Sequence, residues 1–157
     1  MEHVQADIDS IHKEMRDIIE EARVILPGLQ ALFGFQTIAV FNERFADLPA
    51  HATLCHLAGL GMVIIAIAIV MTPAVYYRVV GPRFVSRRMV SRSSWLIRFA
   101  MAPLACGLAL DMFTVLFVAT DLLFASIAGA FATFLILSSF WFVFPWFERR
   151  RLRQKQV

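Results

Sequence analysis

Two apolar runs, joined back to back between Leu96 and Phe147, constrain this chain more than any other feature. Only Thr120 and Asp121 interrupt them, and each run approaches the ~20 helical residues that cross a ~30 Å hydrocarbon layer. The chain is 59% hydrophobic and 17% charged, which is too apolar for a soluble domain of 157 residues. We therefore predict a single-domain, all-α membrane protein.

Four transmembrane helices are predicted, preceded by a cytoplasmic amphipathic helix over residues 1–26. The transmembrane domain covers residues 27–147, with spans near 29–45, 52–76, 94–118 and 122–147. A basic loop at 78–94 joins the second and third spans, and a basic tail follows at 148–157. Pro27 and Gly28 should kink or restart the first helix, because proline lacks a backbone donor and disfavours helix in the residue before it.

The amphipathic segment has a heptad pattern, with apolar side chains at alternating steps of four and three. These are Val4, Ile8, Ile11, Met15, Ile18, Ala22 and Ile25. The polar face is net acidic, whereas helices that lie on membranes usually carry Lys and Arg. We expect the heptad face to pack on another helix, within one subunit or between subunits of a homo-oligomer. A helix lying along the membrane is the alternative.

The positive charges indicate the orientation. Of fifteen Lys and Arg, six lie between residues 78 and 98, five follow residue 148 and three precede residue 24. Only Arg44 lies on the opposite side, so both termini and the central loop are predicted to be cytoplasmic. We expect basic side chains to contact anionic lipid headgroups rather than nucleic acid. They are Arg83, Arg87, Arg88, Arg149, Arg150 and Arg151.

Asp111 is the most informative single residue, because it is a carboxylate inside an apolar run. A charge at the centre of a membrane helix costs roughly 3 kcal/mol on insertion scales, so it needs a partner, a water path or a function. Asp111 shares a small and polar helical face with Gly107 and Thr114. Two interpretations remain open: a proton or monovalent-cation site, or a structural ion pair with Arg44.

The first span is the least apolar of the four, and its polar groups are further candidates for an ion pathway: Gln30, Gln36, Thr37, Asn42, Glu43 and Arg44. Such groups can line a conduction path, or they can form hydrogen bonds that hold helices together. His56 in the second span can relay protons, or it can bond to a neighbouring helix. His51 and Cys55 share a face, but two ligands are too few for zinc, and we predict no metal or cofactor.

The segment Glu21–Gln36 carries a motif, E-x-R-V-x-L-P-G-x-Q-A-L-x-x-F-Q, that resembles the opening of a family of small bacterial membrane proteins of unknown function. Further matches are Thr72-Pro73-Ala74 and Ala109-Leu110-Asp111, whereas Tyr77 stands where the family pattern has His. The resemblance implies a multi-pass protein of the bacterial inner membrane. Some family members carry an automatic sodium/proton antiporter label, which points toward ion handling.

Enzyme activity is not expected, because the sequence lacks paired carboxylates, a nucleophile beside a base and a glycine-rich phosphate loop. The expected function is a homo-oligomeric ion channel or ion/proton transporter, with Asp111 and the polar groups of the first span near the pathway. The alternative is a non-transporting scaffold or accessory subunit, whose polar residues only specify how helices pack.

Overall fold

The computed structural model of the protein describes residues 2–81 and 84–154, and these are almost entirely helical. The helices are α1 (Glu2–Ala39), α2 (Glu43–Ala46), α3 (Ala50–Val80), α4 (Arg87–Thr120), α5 (Leu123–Ser138) and α6 (Phe144–Gln154). A π-helical segment at Ser139–Val143 connects α5 to α6 without a break. No described residue lies in a β-strand, and the predicted all-α class is confirmed.

Three helical stretches are long and apolar enough to cross a membrane: Ala50–Val80, Arg87–Thr120 and Leu123–Leu152. They correspond to the second, third and fourth predicted spans, and their length and composition are those of membrane-spanning helices. Helix α1 is not among them. Its apolar half, from Val24 to Ala39, is only about 24 Å long at 1.5 Å per residue, and it contains two glutamines.

Helices α3 and α4 form an antiparallel pair, and a pair of glycines allows their backbones to approach closely. A Cβ atom on Gly59 would lie 3.3 Å from the carbonyl oxygen of Gly107, and one on Gly107 would lie 3.1 Å from that of Gly59. We call the end of this pair beside α2 the α2 end, and the end with the α3–α4 connection the basic end. Asp121 terminates α4 at the α2 end in the left-handed region, with φ of 55°.

Helix α1 packs lengthwise against α3 and α4 through its heptad face. Met15, Ile18, Ala22 and Leu29 are buried in one apolar cluster with residues of the other two helices. Those residues are Val63, Ala66 and Val70 of α3 and Met89, Val90, Ile97, Ala100 and Leu104 of α4. Of the two interpretations of the heptads, the structure favours helix packing, and the packing is within one chain.

Several predicted boundaries differ from the structure. Helix α1 continues through Pro27, so the predicted interruption is not present; Pro27 and Gly28 lie on its exposed side, away from the packed heptad face. The helix then ends at Ala39 instead of continuing to Phe45. Most of the predicted loop at 78–94 is helical, because Ser86 caps α4 by accepting a hydrogen bond from the Met89 backbone N–H.

The last helical stretch is attached mainly through α4 and leaves most of its surface exposed. Ser126 is the only residue of α5 that is buried, and the side chain of Leu116 from α4 fills the space beside Gly129. Large apolar side chains on the rest of this stretch remain exposed, including Phe124, Phe131 and Phe140. The predicted basic tail is helical through Gln154, and residues 155–157 lie outside the described part of the chain.

Candidate functional site

Three polar side chains from three different helices meet near the α2 end. They are Gln36 of α1, His56 of α3 and Asp111 of α4, and we call them the polar trio. The amide Nε2 of Gln36 donates a hydrogen bond to Asp111 Oδ2. The backbone oxygen of Gln36 lies 2.9 Å from His56 Nε2, and His56 Nδ1 lies 4.0 Å from Asp111 Oδ1. Gln36 and His56 are each only 4% exposed.

The geometry of His56 determines which of its ring nitrogens carries a hydrogen. A backbone carbonyl oxygen only accepts hydrogen bonds, so Nε2 is the donor to Gln36. In a neutral ring, Nδ1 is then a lone-pair acceptor, and it faces a carboxylate oxygen that is also an acceptor. Two facing acceptors repel each other unless one of the two residues holds a proton. At 4.0 Å the two atoms are within the range of an ion pair but too far apart for a direct hydrogen bond.

Two oxygen atoms of the polar trio are buried without a hydrogen-bond partner: Gln36 Oε1 and Asp111 Oδ1. A buried polar atom that lacks a partner costs about 1–3 kcal/mol, and more when it is charged. Both atoms are acceptors, so the species that would satisfy them is a donor or a cation. The polar trio is thus complete as a contact between helices but incomplete as a hydrogen-bond network.

A cavity of about 680 Å³ lies against the polar trio, between α1, α2, α3 and α4. Most of its wall is apolar, with Leu32 and Phe35 from α1, Phe45 from the α2 segment and Val115 from α4 among the lining residues. Two of its lining residues, Phe35 of α1 and Val115 of α4, are 72% and 61% exposed, so the cavity reaches the surface beside them. The ring of Phe45 packs edge-on against His56, with centroids 5.1 Å apart, and covers it on the α2 side.

The remaining candidates of the first span are distributed unevenly. Gln30 and Glu43 are exposed and do not line the cavity. Asn42 and Arg44 line the cavity, and Asn42 also caps α2 by accepting from the Arg44 backbone N–H at 3.0 Å. The Thr37 hydroxyl donates to the carbonyl oxygen of Phe33, four residues earlier in α1. Gln36 is thus the residue of this group that contacts Asp111.

Thr114 of α4 also lines the cavity, where it is buried at 6% exposure. Its hydroxyl donates to the carbonyl oxygen of Leu110 in the same helix, at 3.1 Å. This bond leaves lone pairs of the hydroxyl oxygen on the cavity side. Thr114 can therefore accept from a bound species without giving up its own hydrogen bond.

Asp111 forms no ion pair with Arg44 among the described residues, although both line the same cavity. The ion pair with Arg44, one of the two interpretations of Asp111, is therefore not formed. Instead, α1 inserts the amide of Gln36 beside the carboxylate. Arg44 remains exposed on the short helix α2.

Five of the six arginines predicted to contact lipid headgroups lie in the described part of the chain, and all five are exposed. Arg87 and Arg88 lie in the first turn of α4, and Arg149, Arg150 and Arg151 lie in α6. The Arg150 guanidinium lies 3.6 Å from the centre of the Trp146 ring, an arrangement common at membrane surfaces. Arg83 lies outside the described residues.

His51 and Cys55 do not form part of a metal site in the described region, where no group of three potential ligands occurs. The His51 ring instead packs edge-on against Phe117, with centroids 5.1 Å apart. The imidazole thus contributes to the contact between α3 and α4 near the α2 end.

The role of Gln36 was not distinguished from that of its neighbours by the sequence analysis, although a signal was present. Gln36 follows Leu29 by seven residues, and Leu29 follows Ala22 by seven, so the heptad face of α1 continues to Gln36. Extending the heptads beyond Pro27 would have placed this amide on the buried face. The expected break at Pro27 concealed the continuity.

The structure defines a class: an all-helical protein with three helices long and apolar enough to cross a membrane, and with a buried polar trio beside an apolar cavity. The chain belongs to the Family of unknown function (DUF6328), whose model matches residues 6–145 and thus includes the whole polar trio. The predicted membership of a family of unknown function is confirmed. No curated protein and no solved structure matches the chain.

Proposed function

We propose that this protein is a membrane transporter for protons or monovalent cations, with Asp111 at the centre of the binding site. One observation carries the proposal: His56 Nδ1 and Asp111 Oδ1 face each other at 4.0 Å, and the opposite ring nitrogen is committed to the Gln36 carbonyl. Adjacent carboxylate and imidazole side chains within membrane helices are the kind of groups that form proton relays. An acid held only for packing needs no second titratable group beside it.

A transporter agrees better with the packing than a pore through one subunit. On the side of the polar trio toward the basic end, the interior is filled by apolar side chains, including Val63, Val70 and Ile97. A polar cavity of about 290 Å³, lined by Asp9, His12, Arg16 and Tyr77, lies on the far side of this cluster. A closed apolar segment between two cavities is what a carrier needs to prevent leakage.

In the membrane, we propose that α1 is the fourth crossing and that the basic end is cytoplasmic. Arg16 shares a cavity with Tyr77 near the end of α3, and Gln36 contacts His56 near its beginning. Helix α1 therefore runs beside most of the length of α3. The clustering of Lys and Arg at the basic end supports the bacterial inner membrane orientation by the positive-inside rule.

We also propose a homo-oligomer, on the basis of the charged face of α1. Glu20, Glu21 and Arg23 are exposed, and they lie between the levels of Arg16 and Gln36, beside the apolar length of α3. Charges that face lipid at such a depth would be costly. A second copy of the chain would cover them and provide oppositely charged partners. Particle mass in detergent tests this proposal, and a monomer would contradict it.

The transport proposal is tested by proton flux in liposomes that contain purified protein and a pH-sensitive dye. Wild type should equilibrate an imposed pH gradient, and Asp111→Asn should reduce the rate to that of empty liposomes. Asp121→Asn is the matched control, because it removes an exposed carboxylate where asparagine also tolerates positive φ. No flux from correctly folded wild type, with or without added sodium or potassium, would contradict the proposal.

The second candidate is the scaffold or accessory subunit, and a specific observation favours it. Each member of the polar trio contacts another helix, so the trio also specifies how α1 packs on α3 and α4. For a scaffold, we expect Asp111→Asn to weaken assembly in parallel with stability. For a transporter, flux should fall while the assembled particle persists.

A further inference from the structure

We propose that the cavity beside the polar trio binds a hydrophobic organic ammonium ion, and that this cation competes with a proton for Asp111. The inference rests on the proposed transport function and adds a substrate class to it. It makes the protein an exchanger in which a bound amine and a bound proton exclude each other.

Two residues that line the cavity, Gln36 and Asp111, each carry a buried acceptor oxygen without a partner, and this excess of acceptors favours a cationic ligand. Gln36 Oε1 and Asp111 Oδ1 are buried and without partners, and Gln36 is more than nine-tenths buried. A protonated amine offers N–H donors and a positive charge on one atom. It can neutralise the Asp111 carboxylate from the cavity, whereas a neutral ligand leaves the charge unpaired.

The size and lining of the cavity determine the rest of the ligand. A cavity of about 680 Å³ falls within the 300–1,000 Å³ typical of sites for drug-sized molecules. A hard metal ion such as Ca²⁺ takes about 6–8 oxygen ligands, and the described residues contain no group of three metal-binding side chains. Apolar walls instead favour a hydrocarbon body, with its ammonium group at the polar trio.

Aromatic side chains and the position of the opening support an amphiphilic cation. Phe35 and Phe45 line the cavity and present ring faces or edges to a bound molecule. Aromatic rings attract cations within about 6 Å of their centres. The opening beside Phe35 and Val115 is surrounded by exposed apolar surface, so a ligand can enter from the acyl-chain region, where hydrophobic amines concentrate.

Arg44 is the feature that would favour an anionic ligand instead. It lines the cavity from α2 but is exposed, so solvent screens its charge. The groups deeper in the site are acceptors that repel a carboxylate. We therefore assign the site to a cation, and an anionic probe is included below as the competing outcome.

Competition with protons follows from the groups that face Asp111. His56 faces it from α3, the uncharged amide of Gln36 faces it from α1, and Arg44 lies across the cavity on α2. A proton held by Asp111 removes the negative charge that attracts the ammonium ion, and a proton on His56 repels it. Binding of one species must then weaken the other by the same factor.

The test uses three probes that share one hydrophobic body: diphenylpropylamine, the neutral diphenylpropanol and the anionic diphenylpropionic acid. Each is titrated calorimetrically into the full-length protein in detergent at about pH 8 and about pH 6, around the range where imidazole titrates. We expect the amine to bind wild type more tightly than the alcohol does, to bind more weakly at the lower pH, and to release protons on binding.

Asp111→Asn should weaken amine binding by about tenfold or more, whereas the control Asp121→Asn should leave it unchanged. Val115→Trp fills the opening without altering the polar trio, and it should also weaken amine binding, which keeps the test valid if Asp111→Asn fails to fold. Equal binding of amine and alcohol, or tighter binding of the acid that depends on Arg44, would overturn the inference.

Failure of this inference can be separated from failure of the proposed function. Proton flux that depends on Asp111, with no binding of the amine, leaves transport supported and overturns the amine site. Amine binding that depends on Asp111 and releases a proton, with no proton flux even when the amine is added on one side of the liposome membrane, supports the amine site and contradicts transport.

Discussion

The Nδ1 atom of His56 lies 4.0 Å from the Oδ1 atom of Asp111 on the adjacent helix, and both residues are held in place by Gln36. The amide of Gln36 binds the carboxylate, and its backbone carbonyl binds the opposite ring nitrogen. One residue of α1 thus joins the two titratable groups of α3 and α4. The chemistry of the site therefore depends on the docking of α1.

The two nitrogens of His56 can be tested separately. His56→Gln retains a donor near the Nε2 position but not the titratable Nδ1, whereas His56→Phe loses both. We expect His56→Phe to lower the free energy of unfolding by about 1–3 kcal/mol, because it leaves a buried carbonyl without its donor, and His56→Gln to have a smaller effect. Both should reduce proton flux. Thermal unfolding in detergent and liposome flux measure the two effects, and equal stability of the two variants would contradict this assignment.

Gln30 and Gln36 of α1 provide a matched pair of substitutions. Gln36→Leu removes the donor to the Asp111 carboxylate, so we expect a loss of about 1–3 kcal/mol in the free energy of unfolding. Gln30→Leu makes the same substitution at an exposed position of the same helix, so it should leave the free energy of unfolding nearly unchanged. Denaturation of both variants in the same detergent is the measurement. A similar loss for Gln30→Leu would contradict the assignment of Gln36 to the buried face of α1 and of Gln30 to the exposed face.

The close approach of α3 and α4 predicts an asymmetry between two glycines. A Cβ atom on Gly59 would lie 3.1 Å from Asp111 Oδ1 and 3.3 Å from the Gly107 carbonyl, so Gly59→Ala should cost about 1–3 kcal/mol and displace the carboxylate. Gly61 has no atom within 4 Å of its Cβ position. Gly61→Ala should therefore be neutral, or stabilising by up to about 1 kcal/mol through helix propensity. Melting temperatures of both variants test this order, and Gly59→Ala at wild-type stability would contradict it.

The proposed topology of four crossings predicts the accessibility of single cysteines to a membrane-impermeant thiol reagent. In a Cys55→Ala, Cys106→Ala background, Asp47→Cys and Asp121→Cys should react from outside intact cells. Lys13→Cys and Gln154→Cys should react only after permeabilisation, because they lie at the basic end. Labelling of Lys13→Cys from outside would show that α1 does not cross the membrane.

Part of the site was predictable, because intramembrane charge is rare and the heptad pattern is regular. Asp111 was identified from its apolar surroundings, and His56 was given bonding to a neighbouring helix as one of its two roles. Their partner was not identified. Arg44 had the complementary charge, but the amide of Gln36 occupies the position beside the carboxylate. Complementary charge therefore favoured a pair between Arg44 and Asp111, but the packing of α1 brings Gln36 to the carboxylate instead.

The boundaries near Pro27 and residues 78–94 were less predictable, since local rules and packing conflict there. Proline disfavours a continuous helix, but a buried face on both sides of Pro27, from Met15 to Gln36, supports one through tertiary contacts. Similarly, Met89 and Val90 are buried in the main apolar cluster, which stabilises the first turns of α4 in a segment that is rich in arginine.

The sequence by itself determined that most of this chain is helical and apolar, because side-chain hydropathy and its period depend only on the order of residues. It also determined that Asp111 needs a partner, since the cost of a charge in an apolar segment is local. Only the tertiary structure decided that Gln36 and His56 are those partners and that a cavity lies beside them. Such contacts depend on the distance and rotation between helices that are far apart in sequence, and these are set by the packing of the whole bundle.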